Sequence, residues 1–209
     1  MQELINILQD LKSGNDREVI AEQLENYIRK NTIVKGAGKF NLFKYISKDD
    51  YRLALNGIYC GEGYKVATNS YILVYIKEDY APELESKVVA KDGSLTNSKF
   101  PNWKSVIPST LKSYEPTNID FAKIKSSIKQ SKLNKKIEKK DKENCLIKIK
   151  NLYFKTYLLE LFILAAENLG VDKMYLRTDK AVIRNTNNEG CLLMAKTIDD
   201  ESQFNIIEL

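Results

Sequence analysis

Apolar residues recur with a period along most of this chain, and the period changes where the local structure should change. From Glu3 to Lys12, Leu4, Ile5, Ile7, Leu8 and Leu11 return at helical spacing, and Ser13-Gly14-Asn15-Asp16 supplies a stop and a fresh N-cap. A second stripe, Val19, Ile20, Leu24, Tyr27 and Ile28, runs from about Arg17 to Lys30, and Lys35-Gly36-Ala37-Gly38 marks the boundary after it. Residues 1–34 thus predict a helical hairpin, an N-terminal arm ahead of a main domain over 39–209.

Lys39–Ile46 alternates apolar and polar residues with period two and predicts a strand, and Ser47 is placed to cap a short helix through Leu55. Three strand patterns follow closely at Ile58–Cys60, Tyr64–Thr68 and Tyr71–Lys77. Gly61-Glu62-Gly63 and Asn69-Ser70 separate them with the turn chemistry of a β-meander. A further strand fits Lys87–Ala90. Asp92–Pro108, rich in Gly, Ser, Asn and Pro, predicts a long connection, and its apolar Phe100, Trp103, Val106 and Ile107 predict that it packs down.

Beyond a lysine-rich run within 119–142, Cys145–Lys150 alternates as a strand. Thr156–Leu169 is a strongly apolar helix stopped by Gly170, and strands fit Met174–Arg177, Ala181–Arg184 and Cys191–Lys196. The order strand, helix, three strands therefore occurs in 39–77 and again in 145–196. The expected fold class is α+β, two βαβββ halves (39–108 and 115–209) with helices on one face and antiparallel sheets on the other.

Composition narrows the chemistry. The 209 residues are 43% apolar and 29% charged, an ordinary globular balance without a membrane-length apolar run. No secretory leader pattern is present, so the expected compartment is the cytoplasm. There is no histidine, which removes the commonest general base and metal ligand. Cys60, Cys145 and Cys191 are isolated and odd in number, the pattern of buried, inert thiols. No phosphate-cradling or nucleophile-elbow motif occurs, and the adjacent pairs Asp49-Asp50 and Asp199-Asp200 point apart, so no enzyme activity, cofactor or metal is expected.

The net charge of +5 is unevenly spread. Lys132, Lys135, Lys136, Lys139, Lys140 and Lys142 form one basic run, broken by Glu138, Asp141 and Glu143, while Lys48 and Arg52 lie on the expected first short helix. Lysine contacts to phosphates give sequence-independent, salt-sensitive DNA binding, and a solvated loop is the bland alternative.

Three separated segments carry a family resemblance. Ala54-Leu55-Asn56-Gly57-Ile58-Tyr59 followed by Val66–Leu73 resembles the LNGV and VATDGHRL patterns of the second domain of bacterial DNA sliding clamps. Phe100-Pro101-Asn102-Trp103-Lys104-Ser105-Val106-Ile107-Pro108 resembles their connection into the third domain, and Cys191–Lys196 is similar to a strand near their C-terminus, with Ala195 at a proline position. The family's His-Arg pair is replaced by Tyr71-Ile72 and its Asp-Gly by Asn69-Ser70.

The resemblance, which covers roughly 40–196, implies a reduced clamp module of a phage or mobile element. It would act as a non-enzymatic processivity or recruitment factor, binding DNA through its backbone and assembling as a homo-oligomer. Its hydrophobic pocket would take a linear peptide of a polymerase or other DNA-handling protein. Transferred residue by residue, the pocket is Thr68, Tyr71, Ile72, Leu73, Pro108, Leu192 and Met194, with a more apolar rim than in the family; Lys48, Arg52, Lys132, Lys135, Lys136, Lys139 and Lys140 are the DNA candidates. Two alternatives stay open: a regulator that keeps the pocket without encircling DNA, and an interaction domain whose clamp likeness is confined to one meander. Without the resemblance, Leu73, Leu192 and Met194 would be plain core.

Overall fold

The computed structural model describes residues 40–48, 51–96, 98–133 and 145–209, with positions 6, 7, 9–11, 13, 14, 19–21, 23 and 24 from the N-terminal region and without the side chains of Lys132 and Leu133. Among the N-terminal positions Ile7 and Ile20 are buried; most of the predicted helical hairpin lies outside the described residues.

The described residues from Phe40 onward hold twelve strands and two α-helices: β1 Gly57–Gly61, β2 Tyr64–Thr68, β3 Ile72–Ile76, β4 Lys87–Ala90, β5 Leu95–Thr96, β6 Glu115–Asn118, α1 Phe121–Leu133, β7 Cys145–Ile149, β8 Leu152–Lys155, α2 Thr156–Leu169, β9 Lys173–Arg177, β10 Lys180–Arg184, β11 Gly190–Met194 and β12 Asn205–Glu208. Nine of the strands form one sheet in the order β5-β4-β1-β2-β3-β11-β10-β9-β6, each pairing antiparallel to its neighbours. The third meander strand of each half meets at its centre, with Leu73 opposite Leu192 and Val74 opposite Cys191. A second sheet, β12-β7-β8, pairs β12 parallel to β7.

Every residue of β3, ILVYI, is buried because both sheet faces are covered. Ile72, Val74 and Ile76 join the core beneath the helices, while Leu73 and Tyr75 point to the opposite side, as the period-two geometry of a strand requires. The helix-side core is the larger. Leu158, Leu159, Phe162, Ile163, Ala165 and Ala166 of α2 pack there with the inward residues of β1, β3, β10 and β11 and with Ile147, Ile149 and Phe154 of the small sheet. Gly170 ends α2 with φ 64°, and the Val171 N–H reaches the Ala166 carbonyl at 2.9 Å, the backbone closure that favours glycine there.

The predicted meander, β4, α2 and β9 to β11 stand where the apolar pattern placed them. Two expectations are corrected. Lys39–Ile46 is not a strand: its described part holds a 3-10 turn at Leu42–Lys44 that sends Phe40, Leu42 and Tyr45 into the core, with the Tyr45 hydroxyl donating to the Leu161 carbonyl at 3.1 Å. The helix expected over 47–55 is, in its described residues, a 3-10 turn at Leu53–Leu55. The Ser47 N–H bonds to the Leu55 carbonyl at 2.8 Å, and Tyr51 is 97% exposed, so no apolar stripe holds a helix to the core.

The long connection buries Phe100 and Trp103 as expected and adds β5 and a 3-10 turn at Trp103–Val106, but Val106 stays exposed. All three cysteines are buried; burial pushes the Cys60 thiol up to about 12 and Cys191 well above its ordinary value, which keeps both protonated and inert. Among the described residues no helix is long and apolar enough to cross a membrane.

Candidate functional site

The face of the large sheet away from the helices is covered by the connection rather than by regular structure. Val66, Leu73, Tyr75 and Val88 rise from the strands to meet Leu55, Phe100 and Trp103, and Tyr59 stacks on Phe100 with ring centroids 4.8 Å apart and planes 11° from parallel. Short turns cannot close such a face as a helix does, and an apolar cavity of about 180 Å³ remains.

Four stretches of chain line it. The β2–β3 turn contributes Thr68, Ser70, Tyr71, Ile72 and Leu73; the connection contributes Phe100, Pro101, Asn102, Trp103 and Val106; β11 contributes Leu192 and Met194; Leu55 comes from the 3-10 turn before β1. The β2–β3 turn is held rigid by its own side chains. Asn69 Oδ1 accepts from the Tyr71 and Ile72 N–H groups, both at 3.0 Å, and the Thr68 hydroxyl donates to the Ile72 carbonyl at 2.8 Å. Ser70 sits at φ 77°, the left-handed region, and its Oγ accepts from Arg52 Nη1 at 2.7 Å. With the Thr68 hydroxyl engaged, little polar surface faces the cavity.

The lip is apolar and open. Tyr71 is 50% exposed with Lys155 Nζ 5.6 Å above its ring, and Val106 is 45% exposed. The arrangement offers a water-shedding slot for one large apolar side chain, ringed by residues that a docking chain would cover.

Of the pocket residues named from sequence, the structure brings Thr68, Tyr71, Leu73, Leu192 and Met194 around one cavity. Ile72 borders it, but its side chain belongs to the helix-side core. Pro108 is separated from the others: it lies across Trp103 in a second cleft, its carbonyl accepting from Arg184 Nη2. Leu55, Phe100, Pro101, Trp103 and Val106 also line the cavity, and all lie in the segments that carry the resemblance; the sequence pattern predicts Leu55 only as a helix end and Trp103 only as a packing anchor.

The basic candidates do not converge among the described residues. Lys48 is exposed, and Arg52 is tied to the Ser70 turn beside the cavity. The side chain of Lys132 and all of Lys135, Lys136, Lys139, Lys140 and Lys142 lie outside the described residues. On the helix side, a groove of about 470 Å³ between α1 and α2 mixes Lys44, Lys125 and Lys129 with Glu160 and Glu167, and Lys125 pairs with Glu167 at 2.5 Å.

No protein-family model matches the sequence, and no curated protein matches it. Solved structures do match the fold. The DNA polymerase III beta subunit of Thermotoga maritima superposes with a TM-score of 0.53 at 13% identity over 80% of this chain. That of Borrelia burgdorferi, solved in complex with a natural product, gives 0.51 at 14% over 83%, and the Helicobacter pylori beta clamp, in complex with 3,4-difluorobenzamide, gives 0.52 at 13% over 79%. The matches span 64%, 63% and 64% of those three chains, respectively, so this chain covers somewhat less than two thirds of their length. At such identities the likeness establishes the fold, an α+β sliding-clamp-like architecture.

Proposed function

We propose that this protein is a clamp-like processivity or recruitment factor that receives a short peptide of a polymerase or another DNA-handling protein in the apolar cavity beside the β2–β3 turn, without chemistry of its own. The observation that carries the reading is the meeting of Thr68–Leu73, Phe100–Val106 and Leu192–Met194, far apart in sequence, around one cavity with an exposed Tyr71 and Val106 at its lip. Affinity at such a site comes from a few buried anchors, here a Leu or Phe side chain of the partner. In this reading residues 39–209 are the working module and 1–34 an arm. Lys48, Arg52 and the lysine run would hold DNA through its phosphates, and self-association would extend the module into a clamp-like assembly.

Calorimetric titration with a synthetic peptide containing Leu-Phe tests the pocket. Leu192→Asp and Met194→Asp should each weaken binding by about tenfold or more, since a buried unpaired carboxylate is costly. Absence of binding to the unaltered protein by any Leu-Phe peptide overturns the reading. A second reading, a recruiter that never encircles DNA, is favoured by the mixed charge of the α1–α2 groove and by Arg52 being engaged at the cavity side. Light scattering at low and moderate salt, with and without duplex DNA, separates the two: a ring-sized oligomer supports the processivity factor, and a monomer or dimer indifferent to DNA supports the recruiter.

A further inference from the structure

Trp103, 6% exposed, has the apolar cavity on one side and a second cleft of about 340 Å³ on the other. The cleft's floor is aromatic: Trp103 lies 5.4 Å from Tyr64 and 5.7 Å from Tyr75 between ring centroids, and the two tyrosines are 6.2 Å apart. Cations edge this floor. Lys104 Nζ stands 5.6 Å from the Trp103 ring and Lys77 Nζ 5.8 Å from the Tyr64 ring. Arg184, half-buried, enters from the end of β10; its Nε donates to the Tyr75 hydroxyl at 3.3 Å and its Nη2 to the Pro108 carbonyl.

Both of those acceptors are neutral, so among the described residues the Arg184 guanidinium has no carboxylate partner. The nearby acids are engaged elsewhere. Glu189 accepts from the Lys77 N–H at 2.9 Å and from Asn185 Nδ2 at 2.7 Å, and Glu62 pairs with Lys104 at an exposed position where a competing anion displaces it at little cost. An unneutralised guanidinium beside aromatic faces, partly shielded from water, is a receptor for a carboxylate.

We propose that this cleft takes an acidic side chain, Asp or Glu, flanking the apolar anchor that fills the cavity, so that the partner peptide is read in two steps on either side of Trp103. The proposal rests on the peptide-docking reading above. Continuity supports it, because the indole is a wall of both spaces, and so does charge, because the cavity is apolar while the cleft is edged by Arg184, Lys104 and Lys77. Trp103 is also the chain's single tryptophan and so reports on both sites.

Four synthetic peptides sharing the core Ser-Leu-Ser-Leu-Phe-Ser test it: one with neutral Gly-Ser flanks, one with Asp-Asp before the core, one with Asp-Asp after it, and one with Lys-Lys on the side where Asp-Asp acts. Each is titrated into the full chain at low salt while Trp103 fluorescence is followed. One Asp peptide should bind about tenfold more tightly than the neutral one, as a charge-assisted contact does, and the Lys peptide less tightly. In Lys104→Gln and in Arg184→Gln that advantage should shrink to about threefold or less. Should Arg184→Gln fail to fold, Lys104→Gln and the Lys peptide carry the test. If the neutral peptide binds and neither Asp peptide binds better, the acidic flank is overturned while recruitment stands. If no peptide binds, both fall. If a ten-residue oligothymidine, and not the Asp peptides, perturbs Trp103 and loses that effect in Lys104→Gln, the cleft belongs to a nucleobase and the proposal is overturned.

Discussion

The two faces of the nine-stranded sheet are built from the same strands and are closed in different ways. On one face α2 lays a fourteen-residue apolar helix across the inward residues of β3 and β11, leaving Phe162, Ile163 and Ala166 with almost no exposure. On the other, the irregular connection around Phe100 and Trp103 covers the outward residues of β2, β3 and β4, Tyr114 packs on Leu192 of β11, and an apolar cavity and an aromatic, cation-edged cleft remain. A helix fills space with side chains at regular spacing, whereas a turn-rich segment touches down only at its anchors. The face that packs best supplies most of the buried core, and the face that packs less completely is the one that keeps open space at its surface.

That contrast can be broken at several points. Phe162→Ala, fully inside the helix-side core, should lower the unfolding free energy by about 4 kcal/mol in urea titration, as large-to-small changes at buried aromatics do. A loss below about 2 kcal/mol would mean that this core is not the main source of stability. Trp103→Ala should cost less, about 3 kcal/mol, because the indole already borders open space that its neighbours can fill. Peptide binding in the cavity should be lost at the same time, which separates it from Phe162→Ala measured below its melting temperature.

Arg184→Gln removes the guanidinium's bonds to the Pro108 carbonyl and the Tyr75 hydroxyl. It should cost about 1 kcal/mol and speed proteolytic cleavage between Phe100 and Pro108 without affecting helix-side hydrogen exchange. The smallest effect is electrostatic. The hydroxyl of Tyr80 and the Glu62 N–H hold Glu85 below the ordinary carboxylate range, and the Tyr153 hydroxyl does the same for Glu201. A carboxylate whose pKa is lowered in the folded state contributes stability above its unfolded value, lost as pH falls through the folded one. The melting temperature should therefore drop slightly below roughly pH 4, and less so in Glu85→Gln. Glu78 acts in the opposite sense, since burial raises it despite Lys65 at 3.4 Å; its contribution is lost as pH rises through its folded value.

Much of this was legible residue by residue. Thr156–Leu169 declares a buried helix through a long apolar run that ends at a glycine, β2 has its predicted boundaries because Gly-Glu-Gly and Asn-Ser turns bracket it, and the strand predicted over Lys87–Ala90 is β4. Lys39–Ile46 misled because Phe40, Leu42 and Tyr45 reach the core from a 3-10 turn whose apolar spacing over a few residues imitates a strand. The edge strands β6 and β12 carry no pattern that predicts them: Glu115–Asn118 and Asn205–Glu208 show little alternation and are held by pairing with β9 and β7 rather than by propensity. At the site, the segments that carry the resemblance are the ones that meet around the cavity, but nothing local tells that Pro101 faces the cavity and Pro108 the far side of Trp103.

By itself, then, the sequence determined the meander, the long apolar helix, the absence of histidine chemistry and the three segments from which the cavity is made, because those depend on residue type and short-range period. Which outward residues meet across the sheet, where the connection fails to fill the space, and that Arg184 from β10 reaches the Pro108 carbonyl were decided by the tertiary structure. They depend on pairing β3 with β11 across more than a hundred residues, and no local pattern encodes a contact at that separation.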